Sequence, residues 1–284
     1  MPRLPNPSSA TRVAIQGEPG SNSHAAALET MAAHGIEPWQ LVPCSISAEV
    51  FEALDSGAAD LAVLPIENSL HGAVADHFDL LLAHAVTIAG ESLLRVRHNL
   101  IAAPGVELEQ LRQVLSHPVA LSQCRHWLRA HRALTAAPFY DTAGSVKHLM
   151  EAGLRDTAGI APALAAEQYG AQVLVPGIED HADNFTRFLT LARTGAAPPV
   201  GADKLSLAFA VEHRPGTLLQ ALDCFRSAHL NLTKIESRPV QGRPWEYIFF
   251  VDLRFESEAS LDGALTGLRQ CCQMVKELGR YVAA

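Results

Sequence analysis

The stretch Asn184-Phe-Thr-Arg-Phe188 sets a hydroxyl and a guanidinium between aromatic rings. In an extended chain Thr186 and Phe188 share one face and Arg187 takes the other. A hydroxyl donor beside an aromatic wall suits a polar transformation on a ring. The planar fork of Arg187 matches a carboxylate bidentately, either a ligand's or one of the protein's own in a salt bridge. In Leu64-Pro-Ile-Glu-Asn-Ser-Leu-His-Gly72 an apolar run ends in Glu67, Asn68 and Ser69. Adjacent polar groups at a strand's carboxyl end can orient a polar ligand, and a cap plus a turn is the plain alternative. Gln16-Gly-Glu-Pro-Gly-Ser-Asn-Ser-His24 is a Gly-rich turn before a helix. Free N–H groups there bind anions. It is not GxGxxG, and Ser21 or Ser23 can simply cap the helix. Finally, the tight loop Arg214-Pro-Gly-Thr-Leu-Leu219 opens a helix, and Asn231 to Pro239 reads as a strand ending in a polar, charged loop. A helix-opening loop presents N–H donors; a structural turn and an ordinary surface strand remain the other reading. Together these stretches point to one part that does chemistry and another that senses a small molecule.

Alternating strands and helices must position these groups from Arg12 to about Arg193. Strands are predicted at Val13–Gln16, Leu41–Pro43, Leu61–Pro65, Val86–Ala89 and Ala158–Ala161. Helices are predicted at His24–His34, Ala48–Leu54, Val74–His84 and Leu108–Leu115. The alternation argues for α/β layers with mostly parallel strands. Thr194 to Asp203 is rich in Pro and Gly and reads as a linker. After it, Leu205, Leu207, Phe209 and Val211 alternate as a strand. A helix to Ala228, strands Leu230–Val240 and Trp245–Phe255 around a turn at Gln241–Pro244, a helix Ser257–Met274 and a strand Val275–Val282 complete a βαββαβ, ferredoxin-like order.

The 284 residues suit about two domains, with 48% hydrophobic and 18% charged residues, as in a globular protein with a core. Net charge is −8 with no dense Lys/Arg run, which disfavours nucleic acid or an anionic membrane as a partner. No apolar run approaches the roughly 20 residues of a membrane span. The polar, Pro-rich start reads as a frayed tail without a signal-peptide core. Five cysteines without CxxC spacing favour free thiols in a reducing cytoplasm, and Cys271-Cys272 reads as structural. The 13 histidines form no HExxH-like pattern, so no metal is expected.

Taken in order, Pro65-Ile-Glu-Asn-Ser69, Ser116-His-Pro118 with Ala120-Leu-Ser-Gln-Cys124, Thr186-Arg-Phe188, and Lys234-Ile-Glu-Ser-Arg-Pro239 with Pro244-Trp-Glu-Tyr247 resemble the prephenate dehydratase family joined to a C-terminal ACT regulatory domain. The resemblance runs from about Arg12 to Val282; each motif alone is weak, and the ordered set is highly specific. It implies an α/β catalytic region of two lobes, periplasmic-binding-protein-like (type II), over residues 12–193, and a ferredoxin-like ACT domain over 204–282. It implies conversion of prephenate to phenylpyruvate, with loss of water and carbon dioxide, on the way to phenylalanine. No cofactor is implied, because forming the aromatic ring drives the reaction. Thr186 is then the leading catalytic residue, carrying Arg187 and Phe188 with it. Ser23, Asn68, Ser69, Ser122, Gln123 and Thr142 are the candidates for lining the cleft.

The resemblance further implies allosteric inhibition by L-phenylalanine bound at a domain–domain interface, in a homodimer or homotetramer. Gly216, Thr217, Leu218, Leu219, Asn231, Leu232, Glu236, Ser237, Arg238 and Pro239 are its candidate contacts. Thr217 stands where the family usually has Ala, and Gly17-Glu-Pro-Gly-Ser-Asn-Ser-His24 replaces the more usual Gly-Pro-Glu-Gly-Thr-Phe-Ser-His. No chorismate mutase segment precedes the motifs, which implies a monofunctional chain. Arogenate is the alternative substrate, and a non-catalytic binding module the alternative class.

Overall fold

The computed structural model describes residues 10–240, 242, 243 and 245–284. Most of the expected polar tail, and Gln241 and Pro244 of the expected turn, lie outside the described residues. The chain forms two compact units, residues 10–73 with 93–188 and residues 74–92 with 189–284.

The first unit begins with β1 (Thr11–Gln16), α1 (Asn22–Ala33), β2 (Trp39–Cys44), α2 (Ser47–Asp55) and β3 (Leu61–Asn68). Strand β1 lies between β2 and β3, parallel to both. Val13, Ala14, Ile15, Ala62 and Val63 are fully buried, the continuous apolar pattern of parallel strands covered on both faces. The short β4 (Gly72–Ala73) folds back on β3, pairing Asn68 with Gly72. The chain then leaves through α3 (Ala75–Ala83) and β5 (Val86–Arg95).

It returns as a second lobe: β6 (Asn99–Ala102), a 3-10 turn at Leu108–Gln110, β7 (Gln113–Ser116), α4 (Pro118–Ser122), α5 (Arg125–Ala130), β8 (Thr135–Pro138), α6 (Thr142–Glu151), β9 (Thr157–Ala161), α7 (Ala163–Tyr169) and β10 (Gln172–Val175). The sheet order is β10-β6-β9-β7-β8. Only β7 pairs in parallel, with β8 and β9; β6 runs antiparallel to β9 and β10, so this lobe is less parallel than expected. The helix expected at Leu108–Leu115 is instead the 3-10 turn and β7. Leu111, Val114 and Leu115 are all buried, and a short apolar run of this kind fits a buried strand as well as a helix. Strand β11 (Phe185–Arg193) then joins the first lobe beside β3.

The second unit closes the chain with β12 (Lys204–Ala210), α8 (Thr217–Ser227), β13 (Asn231–Pro239), β14 (Tyr247–Arg254), α9 (Glu258–Cys271) and β15 (Met274–Tyr281). This is the expected βαββαβ order, in an antiparallel sheet β13-β14-β12-β15. Leu205, Leu207 and Phe209 face α8 and α9 in a core with Phe225, Leu261 and Leu268. The charged end expected as a loop continues as strand to Pro239, and β13 forms the sheet edge.

Helix α3 and strand β5 pack with this C-terminal sheet. Phe78 meets Phe250 edge to face at 5.0 Å, and Lys234 Nζ lies 5.6 Å from the Phe78 ring centre. Lys276 Nζ donates to the carbonyls of Leu81, Leu82 and His84 at 3.0, 2.8 and 3.1 Å. It thereby satisfies acceptors that the end of α3 leaves open. Lys204 pairs with Glu91 of β5 at 2.8 Å, both largely buried. Gly279 of β15 lies against the backbone of Ile88, whose nitrogen would stand 2.8 Å from an added Cβ and whose carbonyl oxygen would be closer still. Backbone cannot rotate away as a side chain can. Gly279→Ala is therefore expected to destabilise the protein by about 3 kcal/mol, read by urea denaturation.

Candidate active site

Strands β3 and β11 bring Asn68 and Thr186 together from sequence positions far apart. Asn68 Nδ2 reaches Asn184 Oδ1 at 2.7 Å, Thr186 Oγ1 at 2.9 Å and the Phe185 carbonyl at 3.1 Å. Asn68 Oδ1 accepts the backbone N–H groups of Leu70 and His71 at 3.0 and 3.1 Å, closing the turn into β4. Thr186 is only 8% exposed. Its oxygen accepts from an amide, so its own proton is available to a ligand.

The rest of the β11 motif supports this pair. Arg187 Nε donates to Glu67 Oε1 at 2.6 Å with the guanidinium buried, an ion pair within the protein. Phe188 is buried in the core. Residues 186–188 do extend as expected, but both faces of this strand are covered. Ser69 Oγ donates to the Asp183 carbonyl and accepts the Phe185 N–H, tying the two strands at 3.1 and 3.0 Å.

From the second lobe, the end of α4 supplies Ser122 and Gln123. Gln123 is buried, with Oε1 2.6 Å from His98 Nε2 and Nε2 3.1 Å from His71 Nδ1. His71 Nε2 lies 3.2 Å from Ser122 Oγ. Burial holds His98 below the usual histidine range, against the opposing pull of Gln123 and Glu179.

Ser23 and Thr142 sit in the first turns of α1 and α6. Among the described residues neither is brought to hydrogen-bond distance of Thr186. The loops that open these helices do meet. Tyr140 OH donates to Glu18 Oε1 at 2.9 Å, and Lys147 Nζ to Glu18 Oε2 at 3.1 Å. Gly20, at φ +89, lies against Ala165, whose Cα would stand 2.8 Å from an added Cβ. Asp141 caps α6 by accepting the Gly144 N–H at 2.7 Å, and burial raises its pKa.

A family model for prephenate dehydratase matches residues 13–196. The chain belongs to the prephenate dehydratase family. Arogenate dehydratase/prephenate dehydratase 6 of Arabidopsis thaliana, a chloroplastic protein, is 39% identical over 95% of this chain and 68% of its own length. The solved structure of prephenate dehydratase from Arthrobacter aurescens in complex with L-Phe superposes with a TM-score of 0.86 at 33% identity, covering 96% of this chain and 90% of that one. A structure described as GqqA, a novel type of quorum quenching acylase, also gives 0.86, at 34% identity, covering 96% and 98%.

In this member of the prephenate dehydratase family, the C-terminal unit holds a cavity of ≈ 450 Å³. It is lined by the loop from Val211 to Leu219 with Trp245, Tyr247 and Phe249. Gly216 takes φ +87 at the start of α8, a conformation that glycine adopts without strain. Thr217 Oγ1 donates within the loop, to Glu212 O at 2.7 Å and Arg214 O at 2.9 Å. Of the expected β13 contacts, none lines this cavity. Ser237 and Pro239 pair with Phe249 and Tyr247, which do. Leu232 packs into the core. Arg238 instead grips Asp79 of α3, at 2.6 and 3.3 Å. Asn231 opens the strand, and Glu236 pairs with Phe250 on the α3 side.

His98 and Asp79 had no sequence signal, since their partners are remote. His71 and Asn184 lay inside the recognised stretches without an assigned role.

Replacing Glu67 by Gln removes the carboxylate that Arg187 Nε donates to and, with Glu67 partly exposed, is expected to cost about 2 kcal/mol in urea denaturation, less than a fully buried pair would. The lowered pKa of His98 gives a pH effect of fixed sign. The unfolded histidine takes a proton near pH ~6.5, while the folded one resists it. Stability contributed by neutral His98 is therefore complete above that pH and is lost as pH falls toward the folded pKa. His98→Gln should flatten this acid slope in denaturation curves measured from neutral to mildly acid pH.

Proposed function

We propose that this protein is a prephenate dehydratase, converting prephenate to phenylpyruvate for phenylalanine synthesis, with L-phenylalanine as feedback inhibitor. The observation that carries the reading is the Asn68–Thr186 hydrogen bond, which orients a nearly buried hydroxyl with its proton unused.

In the reaction, the bond between the ring and its carboxylate breaks and carbon dioxide leaves. That electron pair completes the aromatic ring and expels the ring hydroxyl. Thr186 donates a hydrogen bond to the departing oxygen as negative charge builds on it. Asn68 strengthens this by donating to Thr186 Oγ1, since linked hydrogen bonds polarise one another. A threonine hydroxyl is too weak an acid to surrender its proton outright, so the proton that completes water comes from solvent or a neighbour. Arg187 and Lys147 are engaged by Glu67 and Glu18. Neutral donors, including the first turns of α1 and α6 at Ser23 and Thr142, are then suited to receive the substrate carboxylates.

The L-Phe complex of the Arthrobacter aurescens protein supports the inhibitor, and the cavity beside Gly216–Leu219 is its proposed site. Asn231, Leu232 and the Glu236–Pro239 segment bear on that site through strand pairing and α3. The edge position of β13, with Ile235 exposed, suits addition of a second copy in a homodimer or homotetramer. We place the enzyme in the cytoplasm. The plant relative's double name favours arogenate as a second substrate, giving phenylalanine directly.

Purified protein incubated with prephenate should form phenylpyruvate, and added phenylalanine should suppress it. Turnover of arogenate alone would overturn the assignment in favour of arogenate dehydratase. Failure on both, with the protein folded, would leave a binding module. Thr186→Val should lower kcat by about 10²–10³-fold while leaving KM nearly unchanged. Because the Thr217 hydroxyl is already bound within its loop, Thr217→Ala should leave the half-inhibitory phenylalanine concentration unchanged.

A further inference from the structure

We propose that His98 is a positioning residue: it sets the direction of one hydrogen-bond chain, from His98 through Gln123 and His71 to Ser122, keeping Gln123 a donor and Ser122 unarmed as a nucleophile. What the Gln123 donor serves rests on the dehydratase reading; the direction of the chain does not.

One buried atom fixes the direction of the chain. His98 is 2% exposed, and its Nδ1 has no hydrogen-bond partner. Its backbone is pinned, with the N–H donating to Glu179 at 2.9 Å and the carbonyl accepting from Ile178 at 2.8 Å. The ring is held neutral by burial. A neutral imidazole carries one N–H, and burying that N–H without an acceptor costs more than burying a bare nitrogen. The proton therefore belongs on Nε2, which lies 2.6 Å from Gln123. Gln123 must meet it with its carbonyl oxygen, which turns its NH₂ toward His71 at 3.1 Å. His71 Nδ1 must then be bare and its Nε2 protonated. Nε2 donates to Ser122 Oγ, and Ser122 donates onward to the Val119 carbonyl at 2.7 Å.

The consequence is chemical. A serine beside a histidine resembles the pair used for acyl transfer, and one structural neighbour is described as an acylase. A base, however, must offer a bare nitrogen to the serine hydroxyl. Here the nitrogen facing Ser122 carries the proton, so His71 cannot take one from it. In contrast, Gln123 keeps one amide N–H beyond its bond to His71, a neutral donor for a substrate oxygen.

The direct test is long-range ¹⁵N–¹H correlation on protein labelled with ¹⁵N-histidine, with signals assigned from the His71→Asn and His98→Gln variants. The expected result is a protonated Nε2 and a bare Nδ1 in both rings, at neutral pH and without substrate. A proton on Nδ1 of His71 would overturn the proposal. In kinetics, His98→Leu should raise KM for prephenate more than it lowers kcat. His98→Gln, which can again donate at the Nε2 position, should recover most of that loss; a Leu variant matching wild type, or a Gln variant no better than Leu, would count against it. p-Nitrophenyl acetate should give no acyl burst, and a burst abolished by Ser122→Ala would sink the idea. If the tautomers are as expected but neither prephenate nor arogenate turns over, the dehydratase reading fails while the chain direction stands. Should His98→Leu fail to fold, the wild-type tautomers still decide the matter.

Discussion

The side-chain amide of Asn68 is the joint on which the catalytic half depends. One nitrogen holds the Thr186 hydroxyl, the Asn184 oxygen and a carbonyl of β11, while its oxygen closes the turn that carries His71. These partners come from strands separated by more than a hundred residues, so the amide also registers β3 against β11. Its position at the carboxyl end of a buried parallel strand follows the rule for ligand sites in open α/β sheets. The strand supplies rigidity and the amide supplies direction. A carboxylate there could accept from the turn, but it could not donate to Thr186.

The proposed chemistry relies on neutral donors. The chain is net negative, and Arg187 and Lys147 pair with Glu67 and Glu18. A dianion approaching such a site gains from fixed dipoles, which need no reorganisation when charge shifts during the reaction. The ordering of Gln123 between two imidazoles follows the same logic, since each atom of its amide has a defined partner. The altered first loop contributes too: Glu18 stands where the family usually has proline, and it ties the loop before α1 to Tyr140 and Lys147.

In the C-terminal unit a bulge in β13 decides which residues face which way. The register shift between Leu232 and Lys234 leaves Leu232 in the helix-side core and turns Lys234, Glu236 and Arg238 toward α3. Arg238 and Lys276 then hold α3 by its Asp79 side chain and its final carbonyls. Helix α3, which Arg238 and Lys276 hold, is the next helix in the chain after the Asn68 turn.

The sequence by itself determined the βαββαβ order of the C-terminal half, the first-lobe strands and the grouping of Asn68, Ser69 and Thr186 into motifs. These are local: a period of two residues, an apolar run ended by polar groups, a glycine before a helix. It misread Leu108–Leu115, where a short apolar run has the same composition in a buried strand as in a helix. It left Arg187 open between two roles, because pairing with Glu67 is a fact about neighbouring strands. Only the tertiary structure chose among such partners. It joined His98, Gln123 and His71 into one chain, gave Arg238 to Asp79 and bound the Thr217 hydroxyl within its own loop. The physical reason is that a hydrogen bond needs atoms within about 3 Å, and which atoms meet is settled by packing of distant segments, not by their spacing along the chain.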